Sequence, residues 1–476
     1  MSFPFHKLIS KIILMILVIH KILLYIYMGY DILEKKELAL LRKAVDEAEI
    51  KAKVELLNSE IIGNIINIVE DFLRKKQLIC YGGTAVNNIL PKEEQFYDYS
   101  IEMADYDFFS NDALKDTKEL ADIYYKNGFE DVEAKAGVHE GTFKVFVNYI
   151  PVADITQLNN VLFKSLKKDA IEIDGILYTP PNFLRMSMYL ELSRPAGDVS
   201  RWEKILKRLI LLNKNYPIKG KNCEHTKIQR TYEGNKRSGK KIFQIVRDSF
   251  IDQGLVFFGG YANLLYSRYM PENVRKKIKA IPDFDVLSED PLKSAILVRE
   301  KLNKNNFQDV KILKAKELGE VIPNHYEIKV NNDTVAFIYE TIACHSYNTI
   351  KIDGKKIKIA TIDTMLSFYL AFLYANRLYF DTNRILCMAE LLFKVQIRHR
   401  LAQKGLLKRF STNCYGTQKT LTTIRTEKTN KFKKLKSCRK KNKKCSQKLK
   451  KEYEYNFLRY IPTNNKTQKI VKNKKK

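Results

Sequence analysis

The stretch Leu78-Ile79-Cys80-Tyr81-Gly82-Gly83-Thr84-Ala85 is followed, after a polar connection, by Ala104-Asp105-Tyr106-Asp107-Phe108-Phe109-Ser110. A short apolar run ending in two glycines is typical of a buried strand that leads into a helix whose N-terminal amides face an anion. Gly82 and Gly83 would let the backbone approach a phosphate closely, and Thr84 would cap the helix or contact that phosphate. The first piece therefore predicts a phosphate-binding turn.

The second piece carries two carboxylates, Asp105 and Asp107. On a strand, this spacing points both carboxylates to one face and the intervening aromatic residues to the other. Two neighbouring carboxylates repel each other unless a cation lies between them, so the pattern predicts Mg²⁺ or Mn²⁺. A third carboxylate is predicted at Asp154, the one charge in the apolar segment 149–156, because a buried aspartate without a partner is costly.

Each piece is common when it occurs alone, but the order Gly-Gly-Thr, Asp-x-Asp and a later aspartate is the signature of the nucleotidyltransferase superfamily. The segment 138–147 alternates as a strand antiparallel to the one that carries Asp154. Lys144 on that segment is the candidate for a phosphate contact.

Composition indicates a globular protein with a polyanionic partner. The 476 residues include 84 Lys and Arg against 54 Asp and Glu, a formal net charge of +30, which favours nucleic acid, with an acidic membrane surface as the alternative. The seven cysteines are scattered without a Cys-x-x-Cys pair. We therefore expect reduced intracellular thiols, with neither a disulfide framework nor a zinc site.

The N-terminus is apolar from Leu8 to Met28, about the length of a membrane span. Lys11 and the pair His20-Lys21 interrupt it. Residues 1–27 are predicted to be an extension that the fold does not need, with three explanations open: an anchor, a signal-like segment, or translated sequence upstream of a start at Met28. Residues 28–76 follow as a helical lead, since apolar residues recur there at helical spacing.

The first pattern returns later in the chain. Residues 254–262 mirror 77–85, and Asp283 with Asp285 mirrors the first aspartate pair. Phe337 stands where the third carboxylate is expected, and Tyr261 stands in the place of the threonine and is expected to crowd the phosphate pocket. We predict a catalytic domain over 77–212, a linker over 213–241, and an inactive second copy over 242–400 that serves in packing, dimerisation or RNA contact.

Residues 401–476 are predicted to form a basic RNA-binding tail. Within 431–476 there are 19 Lys and Arg against two glutamates, and RNA binding through such charges depends on salt. Five interleaved aromatic residues suggest base stacking; they are Phe432, Tyr453, Tyr455, Phe457 and Tyr460. The alternative is a solvated charge run that only aids solubility.

With these motifs in place, roughly residues 32–462 resemble the poly(A) polymerase catalytic subunits of large nucleocytoplasmic DNA viruses. The matching motifs are residues 81–85, 105–110, 141–145, 152–156, 193–204 and 364–370. The resemblance implies an α+β fold with two tandem polymerase-β-type nucleotidyltransferase domains, the second lacking its carboxylate.

The resemblance also implies an enzyme that adds AMP from ATP to RNA 3′ ends. Asp105, Asp107 and Asp154 would bind two Mg²⁺ or Mn²⁺ ions, and Gly82, Gly83, Thr84 and Lys144 would contact ATP. The expected setting is the virion and the reducing host-cell cytoplasm, with a homodimer or processivity partner and membrane contact through residues 8–28 as open expectations. The alternatives are a CCA-adding or oligoadenylate-type transferase and a non-catalytic RNA-binding scaffold.

Overall fold

The computed structural model describes residues 33–51, 60–99, 105–227, 236–276, 278, 281–319, 321–377, 379–436 and 445–463, with Met15 and Ile19. The chain divides into two compact units, one of residues 1–64 and 98–104, and one of residues 65–97 and 105–476. In the first unit, residues 33–51 are helical and exposed. The predicted extension 1–27 lies almost wholly outside the described residues. Within the described residues, no helix is both long and apolar enough to cross a membrane.

The helices are α1 Glu60–Lys76, α2 Gly82–Ile89, α3 Ala113–Lys126, α4 Asn160–Lys168, α5 Pro181–Leu192, α6 Trp202–Asn215, α7 Lys236–Asp252, α8 Gly260–Tyr266, α9 Glu272–Arg275, α10 Pro291–Lys304, α11 Ile362–Phe372, α12 Thr382–Arg398, α13 Leu421–Leu435 and α14 Gln447–Phe457. Short 3₁₀ turns occur at Lys92–Glu94, Val199–Arg201, Ser267–Tyr269 and Gly405–Leu407. The predicted linker 213–241 is shorter than expected, because α6 extends to Asn215 and α7 begins at Lys236; residues 228–235 lie outside the described residues.

The first sheet contains β1 Ile79–Cys80, β2 Tyr106–Ser110, β3 Val132–Ala136, β4 Thr142–Val147, β5 Ile150–Gln157, β6 Ile171–Ile173 and β7 Ile176–Tyr178. Its strand order is β16-β3-β4-β5-β2-β1-β7-β6, where β16 is Arg459–Tyr460 from the C-terminal region. Strict alternation orients β4, since Phe143, Val145 and Val147 are fully buried and the intervening residues, Lys144 among them, face the other side.

The second sheet contains β8 Val256–Phe257, β9 Phe284–Ser288, β10 Val310–Ala315, β11 His325–Val330, β12 Asp333–Glu340, β13 His345–Ile352, β14 Lys355–Ala360 and β15 Cys414–Tyr415. Its order, β10-β11-β12-β9-β8-β14-β13-β15, repeats the first sheet strand for strand from β3 to β6. Each sheet then gains one outer strand from the C-terminal region. The prediction of two tandem α/β domains is confirmed.

The C-terminal region is integrated with both sheets and is not a detached tail. Arg409 forms an ion pair with buried Asp363 of α11 at 2.8 Å, β15 pairs with β13, and β16 pairs with β3. Hydrogen bonds of a strand require a partner edge, so these segments are ordered by the domains that they extend.

The aromatic residues predicted to stack on bases are used in packing. The rings of Phe432, Tyr453 and Phe457 contact one another with centroids 5.3–6.2 Å apart. Tyr455 packs edge-on to Phe143 at 5.4 Å, and Tyr460 donates a hydrogen bond to Asp122 Oδ1 at 2.6 Å. All five residues are only half-buried, so base stacking by them stays a prediction.

The expectation that all the cysteines are reduced thiols is wrong. Disulfides join Cys223 to Cys387 and Cys344 to Cys414, which are 164 and 70 residues apart in sequence. Cys445 is also disulfide-bonded, whereas Cys80 is a buried free thiol. These partners meet only when distant segments pack together, so their spacing in sequence shows no pattern.

Candidate active site

The central strands β2, β5 and β4 align three of the predicted site residues side by side. Asp107 lies opposite Asp154 in the parallel pairing of β2 with β5. Asp154 lies opposite Lys144 in the antiparallel pairing of β5 with β4. Asp105 is exposed and immediately precedes β2, on the same face as Asp107 because alternate residues of a strand share a face.

Gly82 brings the backbone against the Asp107 carboxylate. Tyr81 N donates a hydrogen bond to Asp107 O at 2.9 Å, and Gly82, the first residue of α2, has φ +75°. A Cβ at this position would lie 2.5 Å from Asp107 Oδ2. A side chain here would be both strained and obstructed, so the turn requires glycine.

Gly83 lies against a tyrosine–arginine pair that the sequence analysis did not identify. A Cβ on Gly83 would lie 2.3 Å from Tyr97 Oη and 2.9 Å from Arg208 Nη1. Arg208 Nη2 donates a hydrogen bond to Tyr97 Oη at 2.6 Å, and its guanidinium carbon lies 4.8 Å from the Phe96 ring centroid. A cation thus stands beside the glycine turn.

Thr84 does not cap the helix. Tyr81 occupies the N-cap position and makes no side-chain capping bond. The Thr84 hydroxyl is buried and donates a hydrogen bond to the carbonyl oxygen of Asp105 at 2.7 Å. Thr84 therefore fixes the backbone that leads into β2, and its hydroxyl proton is already used in this structure.

Burial and neighbouring negative charge raise the pKa values of Asp105 and Asp107. Burial, followed by the charges of Asp105 and Asp154, raises the pKa of Asp107 to about 7. Partial desolvation and the Asp154 charge raise the pKa of Asp105. Lys144 partly offsets both pKa shifts. A site in which carboxylates resist ionisation is one that a cation would stabilise.

In this structure the nearby cation is Lys144, whose Nζ forms an ion pair with Asp154 Oδ2. Within the described residues, no three Asp, Glu, His or Cys side chains are gathered closely enough for a preassembled metal centre. The carboxylate oxygens of Asp105, Asp107 and Asp154 nevertheless suit Mg²⁺ or Mn²⁺, because hard divalent cations prefer such ligands. The raised pKa values of Asp105 and Asp107 are those expected of acidic groups that lack a counter-ion of sufficient charge.

Three basic residues around the start of α6 bring positive charge near the same site, although Arg201 itself pairs with Glu191, with Nε 3.2 Å from Oε1. Arg201 partly offsets the raised pKa of Asp107, and Lys204 does so for Asp105. With Arg208 they are spaced i, i+3 and i+7, which places them on one helical face. That spacing was visible in the sequence, but only packing shows which way the face points.

The second copy has the expected substitution at the equivalent position. Phe337 lies opposite Asp285 in the parallel pairing of β12 with β9, and it is buried. Tyr261 does not crowd a phosphate pocket as predicted. Its ring is buried among Phe257 and Phe284, with centroids at 5.0 and 5.6 Å, so this position faces the interior as Thr84 does.

The duplicated sheets and the aligned aspartates of the first copy define a nucleotidyltransferase of the polymerase-β type. Residues 67–198 match the family model described as poly(A) polymerase catalytic subunit. The chain is 27% identical over 440 residues to a proposed poly(A) polymerase catalytic subunit of Acanthamoeba polyphaga mimivirus, which covers 83% of this chain and 74% of the relative. A relative named likewise from African swine fever virus (isolate Pig/Kenya/KEN-50/1950) is 29% identical over 190 residues, 39% of this chain and 37% of its own length.

A solved structure, the crystal structure of the Megavirus polyadenylate synthase, superposes with a TM-score of 0.71 at 21% identity, covering 91% of this chain and 87% of that one. This likeness confirms the fold. By these sequence matches the chain is similar to the poly(A) polymerase catalytic subunits of large nucleocytoplasmic DNA viruses. The resemblance implies a nucleotide substrate and the use of a divalent metal.

Proposed function

We propose that this protein adds AMP from ATP to the 3′ end of RNA without a template. The observation that carries the proposal is the pairing of Asp107 with Asp154 on adjacent strands, beside the glycine turn at Gly82. Nucleotidyl transfer depends on positioning and on neutralising charge, and this geometry offers both on one face of a sheet.

Asp105, Asp107 and Asp154 are the proposed ligands of two divalent ions, Mg²⁺ or Mn²⁺. When bound, such ions would lower the pKa of the attacking hydroxyl and neutralise the leaving pyrophosphate. The 3′-hydroxyl of RNA would lose its proton to water as its oxygen forms a bond to the α-phosphorus of ATP, and the bond from that phosphorus to pyrophosphate would break.

The protein's own contribution is to bind and orient the polyphosphate. The backbone of Gly82 and Gly83 gives close approach, while Thr84 holds the start of β2 in place. Arg201, Lys204 and Arg208 supply positive charge from one side. Lys144 supplies positive charge from the other side of the site. Once ions bind to the carboxylates, its ammonium group would leave Asp154 and contact a phosphate instead.

The test is to incubate the full-length protein with an RNA primer, Mg²⁺ or Mn²⁺, and each nucleoside triphosphate separately. Extension with ATP well above that with the other three supports the proposal. Equal use of CTP and ATP would favour a CCA-adding enzyme. No extension of any primer with either metal would favour a non-catalytic RNA-binding scaffold.

The family resemblance also leads us to propose that the protein acts in the virion and the host-cell cytoplasm, which fractionation of infected cells would test. Dimerisation, a processivity partner and membrane contact stay predictions.

A further inference from the structure

The C-terminal helices α13 and α14 pack against the turn between β3 and β4, residues 137–141, and we call these two helices the clamp. Lys428 Nζ of α13 donates a hydrogen bond to Gly137 O, and Lys431 Nζ lies 3.0 Å from Glu140 Oε1. Tyr455 of α14 would lie within 2.9 Å of a Cβ on Gly141. The turn leads directly into β4, which carries Lys144. The residues that the clamp contacts are therefore close in sequence to the candidate active site.

The clamp and the glycine turn lie on opposite sides of the carboxylates. In the sheet order, β16, β3 and β4 are on one side of the pair β5 and β2, while β1, which leads into Gly82, is on the other. The basic face of α6 belongs to the glycine side, since a Cβ on Gly83 would meet Arg208. Two polyanionic substrates, a triphosphate and an RNA, would thus have separate basic surfaces.

On α14, Lys448 and Lys451 share a helical face with Tyr455 at i, i+3 and i+7. Both lysines are exposed. With a rise of about 1.5 Å per residue, Lys448 lies roughly 10 Å from Tyr455 along the helix axis. The aromatic residues nearby are half-buried and contact other rings, so the two lysines are more exposed than the rings.

We infer that the acceptor RNA leaves the carboxylate site past Gly141 and lies along Lys451 and Lys448 of α14, held through its phosphates. The inference rests on the proposed function and names the surface that binds its RNA. Contacts to phosphates carry no sequence information, so binding is salt-dependent and nearly indifferent to the bases.

The test measures binding of fluorescent single-stranded RNA to the full-length protein by anisotropy, without ATP or metal. The variant K448A/K451A should weaken binding roughly 30-fold at low salt, since it removes two charges that lie at contact distance from phosphates. It should also reduce the slope of log affinity against log salt by about 1.4, about 0.7 for each lost phosphate contact. Oligo(A), oligo(U) and oligo(C) should bind with similar affinity.

The matched control is K351A/K356A, which removes two exposed lysines paired across β13 and β14 in the second domain. Equal weakening by both variants, or weakening by neither, would overturn the inference. So would photo-crosslinking of an RNA labelled near its 3′ end to the second domain and not to α14. Reduced binding of K448A/K451A to anionic vesicles with unchanged RNA binding would assign the surface to a membrane. The binding assay contains no ATP, so its result does not depend on catalysis. A protein that binds RNA along α14 but transfers no nucleotide would contradict the proposed function and leave this inference intact.

Discussion

Phe337 lies directly opposite Asp285 across the parallel strands β12 and β9. In the first sheet the same register pairs Asp154 with Asp107. The two sheets share their strand order. The second copy therefore keeps the fold but has a different residue at the position where the third carboxylate is needed. A phenyl ring offers no oxygen to a cation, and the two copies can therefore be tested against each other within one chain.

We expect Asp107→Asn to abolish nucleotide transfer and Asp285→Asn to leave most of it. Loss of a group that stabilises charge in phosphoryl transfer costs about 100-fold or more in rate. The measurement is the initial rate of primer extension with ATP and Mg²⁺. Comparable losses from both substitutions would show that the second copy also takes part in the reaction.

Asp107 should make stability depend on pH in the absence of divalent ions. Its pKa is about 7 in the folded protein against an ordinary value of 3.8, so the folded state binds the proton more tightly than the unfolded state. Stability is therefore lost as the pH rises from about 4 to about 7. In EDTA, Asp107→Asn should unfold at a higher temperature than the native protein at pH 8, and the difference should disappear toward pH 4.

Adding Mg²⁺ provides the control for this prediction. The ion should raise the unfolding temperature of the native protein at pH 8, since a ligand that binds only the folded state stabilises it. It should have a smaller effect on Asp107→Asn. An Asn variant that is no more stable than the native protein at pH 8 in EDTA would contradict the electrostatic description of the site.

Gly82→Ala should reduce both stability and activity, and Gly128→Ala should reduce stability alone. Both glycines have positive φ, +75° and +94°, so alanine at either costs roughly 1 kcal/mol in backbone strain. Only at Gly82 would the new Cβ meet Asp107, at 2.5 Å, whereas Gly128 has open space around it. Chemical denaturation and primer extension separate the two effects, and equal activity losses would count against the clash.

Arg208→Met should raise the KM for ATP about tenfold with a smaller change in kcat, because charge-assisted contacts to phosphate are among the stronger hydrogen bonds. The matched control is Lys207→Met on the same helix. Lys207 has a side chain that is 72% exposed and pairs with Glu203 at 2.6 Å. An unchanged KM in Arg208→Met would remove Arg208 from the triphosphate site.

Two truncations should distinguish the contribution of the C-terminal charges to RNA binding from the contribution of the C-terminal helix and strand to stability. Ending the chain after Thr463 removes six lysines and no acidic residue; the protein should stay folded and its RNA affinity should depend less steeply on salt. Ending it after residue 430 also removes α14 and β16, which uncovers the edge of β3. This second truncation should lower the unfolding temperature and abolish extension; intact activity would show that the clamp is dispensable.

The sequence allowed the prediction of features that depend on neighbouring residues. Strand-to-glycine turns, the two Asp-x-Asp strands and the substitution of Phe337 for the third aspartate all follow from local order and from the internal repeat. The side that each residue takes on its own strand follows from alternation, which is why Asp105 and Asp107 were predicted on one face with Tyr106 and Phe108 on the other.

Contacts between distant segments could be decided only by tertiary structure. The disulfide pairs, the addition of β16 to β3, and the approach of Arg208 to Gly83 all join residues far apart in sequence. The orientations of Thr84 and Tyr261 were likewise decided by tertiary structure. Each side chain points into the interior, where Thr84 contacts the Asp105 carbonyl and Tyr261 contacts the Phe284 ring. Local sequence sets the conformation and the face of each element, whereas the choice of partner depends on the shape and charge that the whole chain presents once its core is packed.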